Sequence, residues 1–121
     1  MIYTSYFARS SKVPNPVSIA GKAPGFYKGP EFKELAPRYD FFMDYKNGVI
    51  DSNGYTEQYI ARVLSKFTPD DLRKQLYLRA GVSESSDITL LCYEKVGDFC
   101  HRHLVAEFLQ SGGIETKEWS I

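Results

Sequence analysis

The stretch Asp87-Ile88-Thr89-Leu90-Leu91-Cys92-Tyr93 constrains the fold more than any other part of the chain. A near-continuous apolar run of this length is what a strand covered on both faces requires, and such strands belong to parallel sheets. A tight connection, Glu94-Lys95-Val96-Gly97, leads to Asp98 as the expected N-cap of a helix from Phe99 to about Gln110. Leu104, Val105, Phe108 and Leu109 sit inward on that helix, and Gly112-Gly113 ends it. A buried strand that turns directly into an amphipathic helix is half of a parallel-sheet unit.

The remaining segments complete that pattern. Residues 2–7, Ile-Tyr-Thr-Ser-Tyr-Phe, are β-branched and aromatic and read as a first strand. Ala8 to Pro16 is a loop, and Val17-Ser18-Ile19-Ala20 suits a short buried strand. Gly21 to Pro30 is a glycine- and proline-rich loop that carries Lys22, Phe26, Tyr27 and Lys28. Short helical turns are expected over 31–35 and 39–46. Asn53 or Thr56 caps a longer helix through Phe67, with Tyr59, Ile60, Val63, Leu64 and Phe67 on one stripe. Thr68-Pro69-Asp70-Asp71 starts another that runs to about Arg79 with Leu72, Leu76 and Leu78, and stops near Gly81. Ile114 to Trp119 alternates as a closing strand. The expected fold is therefore α/β: a single three-layer Rossmann-like domain over residues 1–121 with a short, largely parallel sheet.

Composition bounds the function classes. With 121 residues and 43% hydrophobic content, the chain is long and apolar enough to bury a core. Its 15 Lys+Arg balance 15 Asp+Glu, which argues against a partner as anionic as nucleic acid. No apolar run approaches the ~20 residues of a membrane helix. The start, MIYTSYFARSS, lacks the marks of a signal peptide. Two cysteines are too few for a disulfide scaffold, so a reducing cytoplasm is the expected location.

Reactive side chains are densest where the best strand meets the best helix: Cys92, Glu94, Asp98, Cys100, His101, Arg102 and His103. Ligands in open α/β sheets bind at the carboxyl ends of strands, beside helix N-termini that favour anions. With Asp98 as cap, Cys100 and Arg102 fall in the first turn. Arg102 is then placed to fork onto a phosphate or carboxylate, and the helix dipole favours a Cys100 thiolate. Bland readings stand beside these. Cys92 fits a small core residue, Cys100 fits a position facing the sheet, and His103 fits the solvated side of the helix. Glu94 fits either an ion pair with Arg102 or a pocket wall. No metal is expected, because C-x7-C-H-x-H matches no common zinc pattern and residues two apart on a helix do not face each other. Neither a P-loop nor a G-x-G-x-x-G is present, so no nucleotide cofactor of those classes is expected. Ser5, Tyr6, Phe26 and Tyr27 offer a hydroxyl and rings suited to a sugar or base.

Ile2-Tyr3-Thr4, Leu90-Leu91-Cys92-Tyr93-Glu94-Lys95 and Cys100-His101-Arg102 together resemble the DUF488 family of small prokaryotic and phage α/β proteins of unassigned function. The late motif of that family runs strand, Cys, any residue, Glu-Lys, a short loop, then Cys-His-Arg opening a helix. Positions 90–102 reproduce it. The resemblance implies a site of Cys92, Glu94, Cys100, His101 and Arg102. It departs at Ser18-Ile19-Ala20, where many members carry Asp-Val-Arg; the missing Asp and Arg tilt the expectation toward binding without turnover.

The leading expectation is a domain that binds a small phosphorylated ligand, a nucleotide or nucleotide-derived signal. Arg102 and the helix N-terminus hold the phosphate, Lys22 or Lys28 closes over it, and Tyr6, Phe26 or Tyr27 stacks on the base. The alternatives are an enzyme of nucleotide or nucleic-acid metabolism using Cys100, Glu94 and His101, and a homodimer that buries part of its 9 Tyr and 8 Phe at an interface.

Overall fold

The structure is a computed structural model that describes residues 1–94 and 99–120. Its framework is a sheet of β1 (Ile2–Tyr6), β2 (Pro16–Ser18), β3 (Ile88–Cys92) and β4 (Thr116–Glu118) in the order β2-β3-β1-β4. Every pairing is parallel; Ile2 faces Ile88, Tyr6 faces Cys92 and Val17 faces Leu90. β3 is buried at all its positions, which explains its uninterrupted apolar sequence. The fold class is α/β, as the sequence predicts. Parallel pairing also gathers the carboxyl ends of β2 and β3 at one edge of the sheet.

The helices are α1 (Tyr39–Lys46), α2 (Ser52–Arg62), α3 (Pro69–Ala80) and α4 (His101–Ser111). All of them share one core with a single sheet face: Tyr55, Tyr59, Leu72, Leu76, Val105 and Leu109 pack with Val17, Ile88, Leu90 and Cys92. The opposite face is covered by chain that is not α-helical. There Phe7, Val13, Ala20 and Tyr27 close over Leu91. The third layer of the fold is thus a 3-10 turn at Phe7–Arg9 and the loops around it.

Several boundaries differ from expectation for local reasons. α2 begins one residue before Asn53 because Asp51 is its cap; the Asp51 carboxylate accepts from the Gly54 N–H at 2.9 Å. It ends at Arg62, and Leu64–Lys66 form a separate 3-10 turn, so the buried stripe is Tyr55 and Tyr59 while Ile60 faces water. α3 keeps its expected start, with Thr68 Oγ1 accepting from the Asp71 N–H, and ends at Gly81, whose φ of 74° is left-handed. Leu78 is 80% exposed. It lies two positions beyond Leu76, about 200° around the helix, and cannot share its face. At α4 the expected cap, Asp98, lies outside the described residues; Cys100 occupies the N-cap position, with no side-chain cap bond. Among the described residues, no helix is long and apolar enough to cross a membrane.

Candidate functional site

A cavity of about 560 Å³ opens at the carboxyl ends of β2 and β3, where α4 begins. Its floor comes from the strand ends and the start of α4: Ala20, Lys22, Tyr93, Glu94, Cys100 and His101. Its far wall is aromatic, with Tyr39, Phe42 and Tyr45 from α1, Tyr55 from α2 and Phe99. Tyr55 is braced edge to face by its neighbours. Tyr55 meets Phe99 at 5.0 Å, Phe41 at 5.2 Å and Tyr45 at 5.3 Å between centroids. Lys22 and Lys46 supply cations on the same surface.

His101 is the best-defined group of the site. It is buried, and its Nε2 lies 2.8 Å from the carbonyl oxygen of Ile19. A carbonyl only accepts, so Nε2 carries the proton and Nδ1 keeps its lone pair. That lone pair is 3.8 Å from Cys100 Sγ. Burial pushes the imidazole pKa down to about 4, helped by the neighbouring Arg102 guanidinium and opposed by the Ile19 hydrogen bond. The ring is therefore neutral at physiological pH. Burial likewise raises the Tyr55 hydroxyl above its ordinary range, so the cavity wall there stays uncharged.

Arg102 has a different place from the one expected. Its side chain is fully buried and does not line the cavity. Nε and Nη2 donate to the Glu118 carboxylate at 3.2 and 3.0 Å, a bidentate pair that ties α4 to β4. Nη1 donates to Cys92 Sγ at 3.1 Å and to the backbone carbonyl of Glu94. With its donors committed in this way, the guanidinium is a buried strut rather than a phosphate clamp. Nor does Arg102 pair with the Glu94 carboxylate; the acid that answers it is Glu118, and the Glu94 side chain is left to the cavity wall.

The other expected ligand residues divide clearly. Lys22, Glu94, Cys100 and His101 meet in the cavity; Cys92, Ser5, Tyr6, Phe26 and Tyr27 do not line it. Ser5 is fully buried within β1. Tyr6 lies under the Arg9 guanidinium at 5.0 Å. Phe26 is exposed. Tyr27 belongs to the core of the opposite sheet face: its hydroxyl donates to the carbonyls of Pro30 and Pro16, and burial raises its pKa to about 12. His103 lines a smaller cavity with Gln110 and Lys117. Cys92 and Cys100, read separately from the sequence, are joined as a disulfide. The donor atoms of Cys92, Cys100 and His101 all lie within 4.8 Å of one another, a juxtaposition that the linear spacing conceals.

A family model, DUF488-N3a, described as the active DUF488-N3 subclade, matches residues 16–113. The chain belongs to the DUF488 family. No curated protein and no solved structure matches it. Within this DUF488 chain, the residues of the late family motif divide: Glu94, Cys100 and His101 line the cavity, while Cys92 and Arg102 do not. Ala20, which ends the Ser18-Ile19-Ala20 stretch, is on the cavity wall. Sequence reasoning missed the aromatic wall. Its signal was the ring density of Tyr39, Phe41, Phe42, Tyr45, Tyr55 and Tyr59, which period alone assigns to a core.

Proposed function

We propose that this protein binds a small phosphorylated ligand, a nucleotide or a nucleotide-derived signal, in the aromatic cavity. The supporting observation is the pairing of an aromatic wall (Tyr39, Phe42, Tyr45, Tyr55, Phe99) with Lys22, Lys46 and the start of α4 in one pocket of about 560 Å³. A volume in the range of roughly 300–1,000 Å³ suits a ligand of that size. Rings stack on a base, and cations and helix-terminal N–H groups receive a phosphate. Lys22 and Lys46 replace Arg102 in the phosphate role. The test is native mass spectrometry of the protein after incubation with nucleotides, cyclic dinucleotides and ADP-ribose derivatives. Retention of one class at unchanged mass supports the reading; retention of none removes it.

Turnover of the bound ligand is a second reading, favoured by the His101 lone pair facing Cys100. In the reduced protein, Cys100 is the nucleophile, His101 Nδ1 takes its proton, and Glu94 serves the leaving group. The description of the matching subclade as active agrees with this. A ligand recovered at a new mass supports turnover, and an unchanged rate in a Cys100→Ser, Glu94→Gln double variant removes it.

A further inference from the structure

Cys92 and Cys100 are bonded to each other, yet their surroundings are not equivalent. Cys100 is on the cavity wall with His101 Nδ1 at 3.8 Å. Cys92 ends β3 behind that wall and receives a hydrogen bond from Arg102 Nη1 at 3.1 Å. In thiol–disulfide exchange the sulfur that an entering thiolate reaches is attacked, and the sulfur better stabilised as thiolate leaves. Here the cavity selects Cys100 for attack, and the buried guanidinium selects Cys92 to leave.

We propose that Cys92 and Cys100 form a reversible redox centre operated from the cavity, with small thiols and disulfides as its reactants. A thiolate entering the cavity bonds to Cys100 Sγ and the bond to Cys92 breaks, leaving a Cys92 thiolate against Arg102. A second thiolate then attacks the outer sulfur of the mixed disulfide and releases Cys100, which takes up a proton. In total, two RSH and the protein disulfide give RSSR, a Cys100 thiol, a Cys92 thiolate and one proton released to solvent. Two electrons pass from the thiols to the protein. Oxidation by a disulfide such as oxidised glutathione is the reverse sequence. The reduced state presents a Cys100 thiol to the His101 lone pair; the oxidised state removes it. A soft metal ion on Cys92, Cys100 and His101 is the competing occupant of the same atoms. The fixed cation on Cys92 favours a free thiolate and opposes a second cation there.

The centre stands or falls without the ligand reading, because no nucleotide enters its test. The full chain is cycled between dithiothreitol and oxidised glutathione, unfolded, alkylated and weighed. Two alkyl groups after reduction and none after oxidation are expected, through repeated cycles. Wild-type protein acid-quenched early in reoxidation is digested and mapped; the trapped glutathione is expected on Cys100. Folded Cys92→Ser protein takes up glutathione at least about tenfold faster than Cys100→Ser protein. Two thiols that stay free in oxidised glutathione overturn the proposal. So does glutathione trapped on Cys92, or one zinc ion bound per chain when the reduced protein is titrated with zinc alone.

Discussion

Glu118→Ala tests whether Arg102 is the strut described above. The Arg102 side chain is fully buried, and Glu118, 26% exposed, meets it with both carboxylate oxygens. Removing one partner of a fully buried pair costs about 3–5 kcal/mol, mainly because the remaining charge loses its counter-ion without regaining water. Water reaches Glu118 in part, so the cost falls to the bottom of that range or just below it, about 2–3 kcal/mol. For a domain of this size each kcal/mol moves Tm by roughly 3–5 °C, which gives a loss of about 6–15 °C. Urea unfolding followed by circular dichroism measures the change, with an unchanged m-value as the sign that only stability moved. Glu84→Ala is the control. It breaks the exposed Arg73–Glu84 pair and is expected to cost less than about 1 kcal/mol. The double variant Arg102→Met, Glu118→Leu leaves no buried charge and is expected to be more stable than Glu118→Ala alone. A Glu118→Ala effect as small as that of Glu84→Ala refutes the strut and returns Arg102 to the candidate phosphate ligands.

Four further outcomes follow from the same geometry. His101 has a folded pKa of about 4 against an ordinary value of 6.5, so the unfolded chain takes up its proton first as pH falls. Stability is then full above pH 6.5 and declines toward pH 4, by up to roughly 3 kcal/mol; urea titrations at pH 7.5, 6.0 and 5.0 show the slope, and His101→Gln abolishes it. Glu34 and Asp40, whose carboxyls are held down by Arg79 and Arg62, add their own loss only at more acid pH. Lys22→Ala weakens a bound nucleotide about fivefold, roughly 1 kcal/mol, and leaves its nucleoside unchanged in calorimetric titrations. Gly112→Ala destabilises by about 1–3 kcal/mol in thermal melts, because its Cβ would stand 2.4 Å from Pro69 Cβ. Leu76→Ala costs about 2–5 kcal/mol and Leu78→Lys less than about 0.5 kcal/mol in the same melts, since the first is buried and the second exposed.

The parts of the fold that rest on local chemistry were legible in the sequence. An apolar run announced β3, and Thr68-Pro69 announced α3, because capping and period act within a few residues. Three residues of the Cys–Glu–Cys–His–Arg motif, Glu94, Cys100 and His101, come together at the cavity for the same reason: strand end and helix start are adjacent in the chain. What escaped was set by tertiary contact. Only the return of α1 and α2 across the strand ends makes Tyr39, Tyr45 and Tyr55 into a cavity wall. The sequence offers Arg102 a phosphate or Glu94 as partner because its actual partner, Glu118, is sixteen positions later on β4. Tyr27 looked like a ligand residue because nothing local shows that its loop folds onto the far face of the sheet.

The location of the ligand is the claim on which the account turns, and amide chemical-shift mapping tests it most directly. The nitrogen-labelled protein is titrated with whichever nucleotide native mass spectrometry retains. Shifts confined to Gly21, Lys22, Phe42, Tyr45, Tyr55 and His101 are predicted, all residues that line the aromatic cavity. Shifts centred instead on His103, Gln110, Thr116 and Lys117, around the second cavity, or no shifts at saturating ligand, would contradict it.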